Sequence, residues 1–368
     1  MVVGADGALP LPWLQPVLDM ALSQRRAHAL LLQGNADLGA LEAAATLAQT
    51  WLCEQRGASE ESERAMSPRR ACGQCASCRL VQARSHPDLL LLQTEEARLQ
   101  SGWLLPLDKP QSAQGGADDD KPRKKASRQI RIDEVRLCNE WASRTSSRGR
   151  AKVVVLHPAD VLNPQAANAL LKTLEEPAAG VRFVLTTADA EGLLPTLRSR
   201  CQVLRLPVPE TCVALEWLHG QGVADAAVML AAAGGRPLLA LSLQAGGIDA
   251  RAWGALPAAV ARGDAKGLAG WPLPRAIDVL LRLCHDLARV VVGGAPLYFA
   301  PATLSAFAGT AASLDAWRQD LLRAARHGGH AWNEGLLLES LCAKGARAMR
   351  GEPSSPVGPG GHGATLLA

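Results

Sequence analysis

Short apolar runs and helical stripes alternate along the first half of this chain. Ala29–Leu32, Leu89–Leu92, Val153–Leu156 and the group Val181, Phe183, Val184 and Leu185 are compact apolar segments of strand length. Runs without polar alternation suit strands covered on both faces, the condition of a parallel sheet. Between the last two, Asn163 is placed to cap a helix that opens on Pro164 and is stopped by Pro177. Ala167, Leu170, Leu171 and Leu174 fall on one face of that helix, and Gln165, Asn168, Lys172 and Glu175 on the other. The pattern predicts strand, crossover helix, strand, then a short helix ending in Ser199, Arg200 and Cys201 and a strand at VLRLP.

Around this unit, residues 13–33 predict an amphipathic helix leading into the first strand, and 130–144 a helix before Val153. Residues 208–249 read as a small helical unit, and 250–347 as a separate all-α domain with amphipathic segments such as AIDVLLRLCHDLARVVV. Positions 95–128 are polar, with three consecutive aspartates and the basic cluster Lys121, Arg123, Lys124 and Lys125, and predict a disordered surface loop. The stretch 348–368 is rich in Pro, Gly and Ser and predicts a disordered tail. The first domain is therefore bounded at 1–207.

Composition adds little to this picture. A net charge of +4, from 39 basic and 35 acidic side chains, does not by itself mark a nucleic-acid surface. No apolar run is long enough to span a bilayer and no export signal is visible, so a cytoplasmic protein without a membrane partner is expected.

Nine cysteines in such a chain argue against a disulfide framework. Cys72, Cys75 and Cys78 follow one another at two-residue spacing, and Cys53 lies one loop earlier. Thiolates so spaced converge on one tetrahedral ion, and a four-cysteine structural Zn2+ site with no open position is the expected result. An iron-sulfur run would require a fourth cysteine where Gln82 stands, followed by proline where Ala83 stands. His86 in place of Cys53, or a set of free buried cysteines, remains open.

After the first strand come Gly34, Asn35, Ala36, Asp37, Leu38, Gly39, Ala40 and Leu41. The glycine spacing is that of a phosphate-binding P-loop, but Ala40 replaces the lysine and Leu41 the serine or threonine. Without the ammonium and the hydroxyl, no intrinsic ATPase is expected. A glycine turn unrelated to nucleotides is the competing reading.

Taken together, the degenerate P-loop, the CxxCxxC insertion, NALLKTLEEP and LRSRC resemble the AAA+ clamp-loader subunits of bacterial DNA polymerase III over about residues 13–345. The resemblance implies an α/β, P-loop NTPase-like parallel-sheet domain with a zinc module at 53–78. A small helical lid domain at 208–249 and a helical collar domain at 250–347 would follow it. In ATP-hydrolysing members the strand before NALLKTLEEP ends in an acidic pair; here His157 and Pro158 stand there. The sensor arginine of the lid is matched by Leu238, with Arg236 nearby. By the same resemblance Arg200 is an arginine finger acting in trans on a neighbour's ATP, with Arg198 secondary and Ser199 and Cys201 shaping the turn. The implied partners are the gamma or tau ATPase subunits, the delta subunit, the sliding clamp and primed DNA, and the implied role is a non-hydrolysing stator. Glu175 and Glu176, disfavoured at a helix C-terminus, are read as placed for a neighbour. An active ATPase of the same family and a stand-alone zinc-dependent DNA-binding protein are the alternatives. Micromolar ATP affinity in the isolated chain would establish the first, and salt-sensitive DNA affinity without partners the second.

Overall fold

The computed structural model describes residues 2–24, 27–55, 70–101, 129–304, 307–326 and 333–352, with Trp103, Leu105 and Ser127. Two compact units divide it, Met1–Val213 and Ala214–Ala368. In the first, chain order runs α1 (Gln15–Ser23), β1 (Ala29–Gln33), α2 (Ala40–Leu52), α3 (Ala76–Gln82), β2 (Leu89–Leu92) and α4 (Glu95–Ser101). It continues with α5 (Ile132–Ser143), β3 (Lys152–Leu156), α6 (Pro164–Glu175), β4 (Val181–Thr187), α7 (Pro195–Arg198) and β5 (Gln202–Arg205).

The five strands form one parallel sheet in the order β2-β3-β4-β1-β5. The α/β parallel-sheet expectation is thus borne out. Leu31, Val154, Leu156, Phe183 and Leu185 pack with Val135 and Cys138 of α5 and Leu170 and Leu174 of α6. Their alternates Leu30, Leu32, Val153, Val155 and Val184 are equally buried, on the sheet face along which α2 runs. Full burial of each such aliphatic side chain is worth about 1.5–3 kcal/mol, which explains why these strands are unbroken apolar runs. β5 is an edge strand, and only Leu204 of its four residues is buried.

Helix α6 begins as its sequence demands: Asn163 Oδ1 accepts the Ala166 N–H at 2.8 Å, and Pro164 occupies the first turn. Lys152 fixes the start of β3 against the end of α5, donating through Nζ to the carbonyls of Trp141 and Arg144 at 2.6 and 3.1 Å. The candidate site lies at the carboxyl ends of β1, β3 and β4.

The polar stretch from 95 starts as a helix, against the expectation of a disordered loop beginning there. Thr94 Oγ1 accepts the Ala97 N–H at 3.2 Å, and Arg98 Nη1 reaches Glu134 of α5 at 2.5 Å in a largely buried ion pair. That long-range partner is what a short polar segment cannot announce locally. Positions 106–126, with the basic cluster, and 353–368 lie outside the described residues.

The second unit is helical, with α8 (Thr211–Gly220) crossing its boundary. The others are α9 (Ala226–Ala232), α10 (Pro237–Ala245), α11 (Ala250–Ala261), α12 (Leu273–Val291), α13 (Ala311–Arg326) and α14 (Glu334–Met349). Trp253 stacks on Phe299 with centroids 4.7 Å apart, and Trp317 packs against Gly345, where an added Cβ would lie 2.6 Å from the indole. Buried Asp286 accepts backbone N–H groups from Leu297, Tyr298 and Phe299. Arg282 of α12 donates to the Ala232 carbonyl at 2.5 Å, so helices on both sides of residue 250 share contacts. Among the described residues no single helix is long and apolar enough to cross a membrane.

Candidate functional site

Gly34 follows β1 and donates to Thr187 O at 2.9 Å, and its Cα faces Leu206 so closely that a Cβ would sit 2.8 Å from that side chain. Asn35 Oδ1 accepts the Asp37 N–H, opening a 3-10 turn over Ala36–Leu38. Gly39 then takes φ +95°, a conformation open to glycine, and buried Ala40 starts α2. The space over Gly39 is filled. A Cβ there would lie 2.3 Å from Leu11 Cδ1 and 3.3 Å from Leu14 Cδ1, and Trp13 Nε1 donates to Leu38 O at 2.9 Å. The turn therefore has the glycine spacing of a phosphate loop, and residues 11–14 cover it. Sequence reasoning missed this covering. The apolar trio Leu11, Trp13 and Leu14 ahead of the first helix was its only signal.

His157 stands just past the end of β3. Its Nδ1 lies 2.7 Å from Thr186 Oγ1, and burial depresses its pKa to about 4, Asp160 opposing that shift weakly. A neutral imidazole there lacks the negative charge and hard oxygen donors that a carboxylate would offer Mg2+. Thr187 Oγ1 is engaged with Asp189, donating to its carbonyl at 2.8 Å.

Cys53, Cys72, Cys75 and Cys78 converge, with all four Sγ atoms within 4.8 Å of one another. The Cys72–Cys78 and Cys53–Cys75 sulfur pairs are 3.9 Å apart, close to the edge of about 3.8 Å of a tetrahedron with zinc-sulfur bonds of about 2.3 Å. Cys72 Sγ accepts from the N–H groups of Gln74 and Cys75, Cys53 Sγ from Cys72, and Cys75 Sγ from Cys78. Burial pushes the Cys78 thiol well up; at Cys72 burial acts the same way, but hydrogen bonds from the Gln74 and Cys75 backbone and from the Cys53 and Cys75 side chains together bring that thiol down to about 7. Donors aimed at sulfur suit thiolates, so the four residues could hold a metal ion. His86 is not among them: its Nδ1 accepts the Asp88 N–H at 3.0 Å. Glu54, next to Cys53, accepts from Arg148 Nε and from Ser77 Oγ, fastening the 144–150 connection to the cluster.

Arg200 lies past the end of α7. It donates through Nε to Glu175 Oε1 at 2.6 Å, through Nη2 to the same oxygen, and through Nη1 to Thr196 O at 2.7 Å. Glu175, itself exposed, therefore pairs with Arg200 of its own chain; the last turn of α6 and the end of α7 are neighbours only in the fold. Arg198 and Glu176 are exposed and Cys201 is buried. Arg236 donates to Ala233 O just before α10, which Leu238 follows into the helix.

A five-stranded parallel sheet with helices between its strands defines an α/β protein. A family model described as DNA polymerase III, delta subunit, matches residues 14–210, and the chain belongs to that family. Within it, the curated relatives carry the name delta-prime subunit. It is 35% identical over 251 residues to the delta-prime subunit of Haemophilus influenzae, covering 65% of this chain and 63% of that one. The delta-prime subunit of Pseudomonas aeruginosa is 33% identical over 243 residues, covering 64% and 62%, and that of Escherichia coli 32% over 239, covering 63% and 60%. The chain thus spans about six tenths of the length of these relatives. A gamma subunit-related protein of Thermotoga maritima superposes with a TM-score of 0.43 at 15% identity over 91% of this chain and 99% of that one, too loosely to define the fold.

Proposed function

We propose that this chain is a non-hydrolysing, stator-like subunit of the DNA polymerase III clamp loader, working in the cytoplasm. It would supply Arg200 in trans to a neighbouring ATPase subunit while the sliding clamp is loaded onto primed DNA. The observation that carries this reading is a contrast within one domain: leucines cover the chain's own phosphate loop, while a guanidinium is kept at its surface. A planar, permanently charged group matches the charge that develops on a transferring γ-phosphoryl, and fingers of this kind are worth about 10³ to 10⁵ in rate. The partly exposed Arg200–Glu175 pair is worth at most about 1 kcal/mol, so leaving it for a phosphate is inexpensive.

The implied partners are the gamma or tau ATPase subunits, the delta subunit and the clamp. Delta-prime relatives, and a gamma subunit of Buchnera aphidicola 36% identical over 83 residues, support that company. The cysteine cluster is read as a structural Zn2+ site, whose ion would cross-link the end of α2 to the segment 72–78 and leave no position for substrate. In the first domain, 1–207, the fold is read as AAA+, with a lid at 208–249 and a collar at 250–347.

Co-purification with the candidate subunits followed by a DNA-dependent ATPase assay tests the proposal. Assembly retained and turnover lost in Arg200→Ala is the expected result. Wild-type turnover in that complex would remove the finger assignment.

A further inference from the structure

We infer that the cysteine cluster acts as a clamp on the chain's own N-terminal segment, and that this segment carries its effect to the covered phosphate loop. Val3 is wholly buried in the small apolar core that Cys53, Ala71, Cys75 and Cys78 form. Its backbone is read by two glutamines. The Val3 N–H donates to Gln49 Oε1 at 2.9 Å, and the Val3 carbonyl accepts from Gln49 Nε2 at 3.0 Å and Gln82 Nε2 at 2.9 Å. Gln82 Nε2 also donates to Gly73 O, between Cys72 and Cys75, and Gln74 Nε2 donates to Ala5 O at 2.7 Å. Gly73 has φ +73°, and a Cβ on it would fall 1.8 Å from Gly4 O, so the cysteine knuckle and the segment touch backbone to backbone.

From there the segment turns, with the Gly7 N–H donating to Gly4 O at 3.0 Å, and runs on to Leu11, Trp13 and Leu14 over Gly39. Helix α2 ties both ends together. It starts at the glycine turn, carries fully buried Gln49 in its last turn and ends at Cys53. A buried backbone group needs a partner, and those of Val3 are met only while Gln49, Gln82 and the knuckle keep their spacing. An apolar core of five residues is too small to hold that spacing unaided, whereas a bound ion would cross-link residue 53 to residues 72–78. The sheet has its own core and does not depend on this cluster.

The inference rests on the metal reading above, and the experiment separates the two. Elemental analysis of the full chain is followed by hydrogen exchange, before and after chelation, on peptides covering residues 2–14 and strands β3 and β4. Metal removal is expected to speed exchange in residues 2–14 at least tenfold and leave both strands unchanged. Gln49→Leu, which keeps every thiolate, is expected to retain the metal and show the same local loss. Unchanged exchange of 2–14 in the metal-free chain, or in metal-loaded Gln49→Leu, overturns the clamp. So does an increase spread equally over β3 and β4. A chain purified without any metal sinks the metal reading itself and the clamp with it.

Discussion

The phosphate loop and the Arg200 corner belong to one domain and differ in what they have kept. At the glycine turn after β1 the surroundings are apolar: Gly39 holds a left-handed conformation with Leu11 and Leu14 over it, and nearby His157 is half-buried with its pKa depressed to about 4. At Arg200 the backbone is an unremarkable helix end, while the side chain remains charged and hydrogen-bonded near the surface. Apolar packing is therefore what the loop now contributes, and charge is what the corner contributes. The two regions should answer to opposite measurements, stability for the first and turnover for the second.

Arg200→Ala should give the largest effect. At the neighbouring ATP site proposed for it, turnover of the reconstituted complex should fall by about 10³-fold or more. The urea midpoint of the isolated chain should barely move, because a partly exposed ion pair contributes about 0–1 kcal/mol. A large loss of stability would erase the contrast. Leu11→Ala should do the reverse, destabilising by about 2–5 kcal/mol in denaturant titrations, since a wholly buried side chain is removed from a packed site. It should gain no ATP affinity by calorimetry, because Ala40 and Leu41 still offer neither ammonium nor hydroxyl.

His157 sharpens the comparison through pH. Its folded pKa of about 4 lies below the ordinary 6.5, so between those values the unfolded chain binds more protons than the folded one. Its contribution is complete above about pH 6.5 and is lost as pH falls toward 4, by up to about 3 kcal/mol. His157→Gln should flatten the fall in unfolding free energy between pH 7 and pH 5, and an unaltered slope would contradict its burial as a neutral base. Asn163→Ala should have the smallest effect, about 1 kcal/mol in the same titration, because it removes one helix cap and leaves both regions intact.

Local patterns carried much of this molecule. The apolar runs of β1 to β4, the Asn163 cap with Pro164, and the grouping of Cys53, Cys72, Cys75 and Cys78 were legible because each depends on residues close in sequence or on a fixed spacing. Helix α4 was not, since it is held by Arg98 reaching Glu134, 36 residues away. The partner of Glu175 was hidden for the same reason, as were Gln49 and Gln82 holding Val3.

The sequence by itself determined that this chain builds a parallel sheet with a glycine turn that lacks the lysine and hydroxyl of a nucleotide site. Periodicity, capping and residue type are local properties, and they suffice for that. Tertiary structure alone decided what fills the turn, what packs on the cysteines and where Arg200 rests. Those outcomes depend on side chains from distant segments being packed to contact, and no local pattern encodes the meeting of Leu11 with Gly39 or of Val3 with the cysteines.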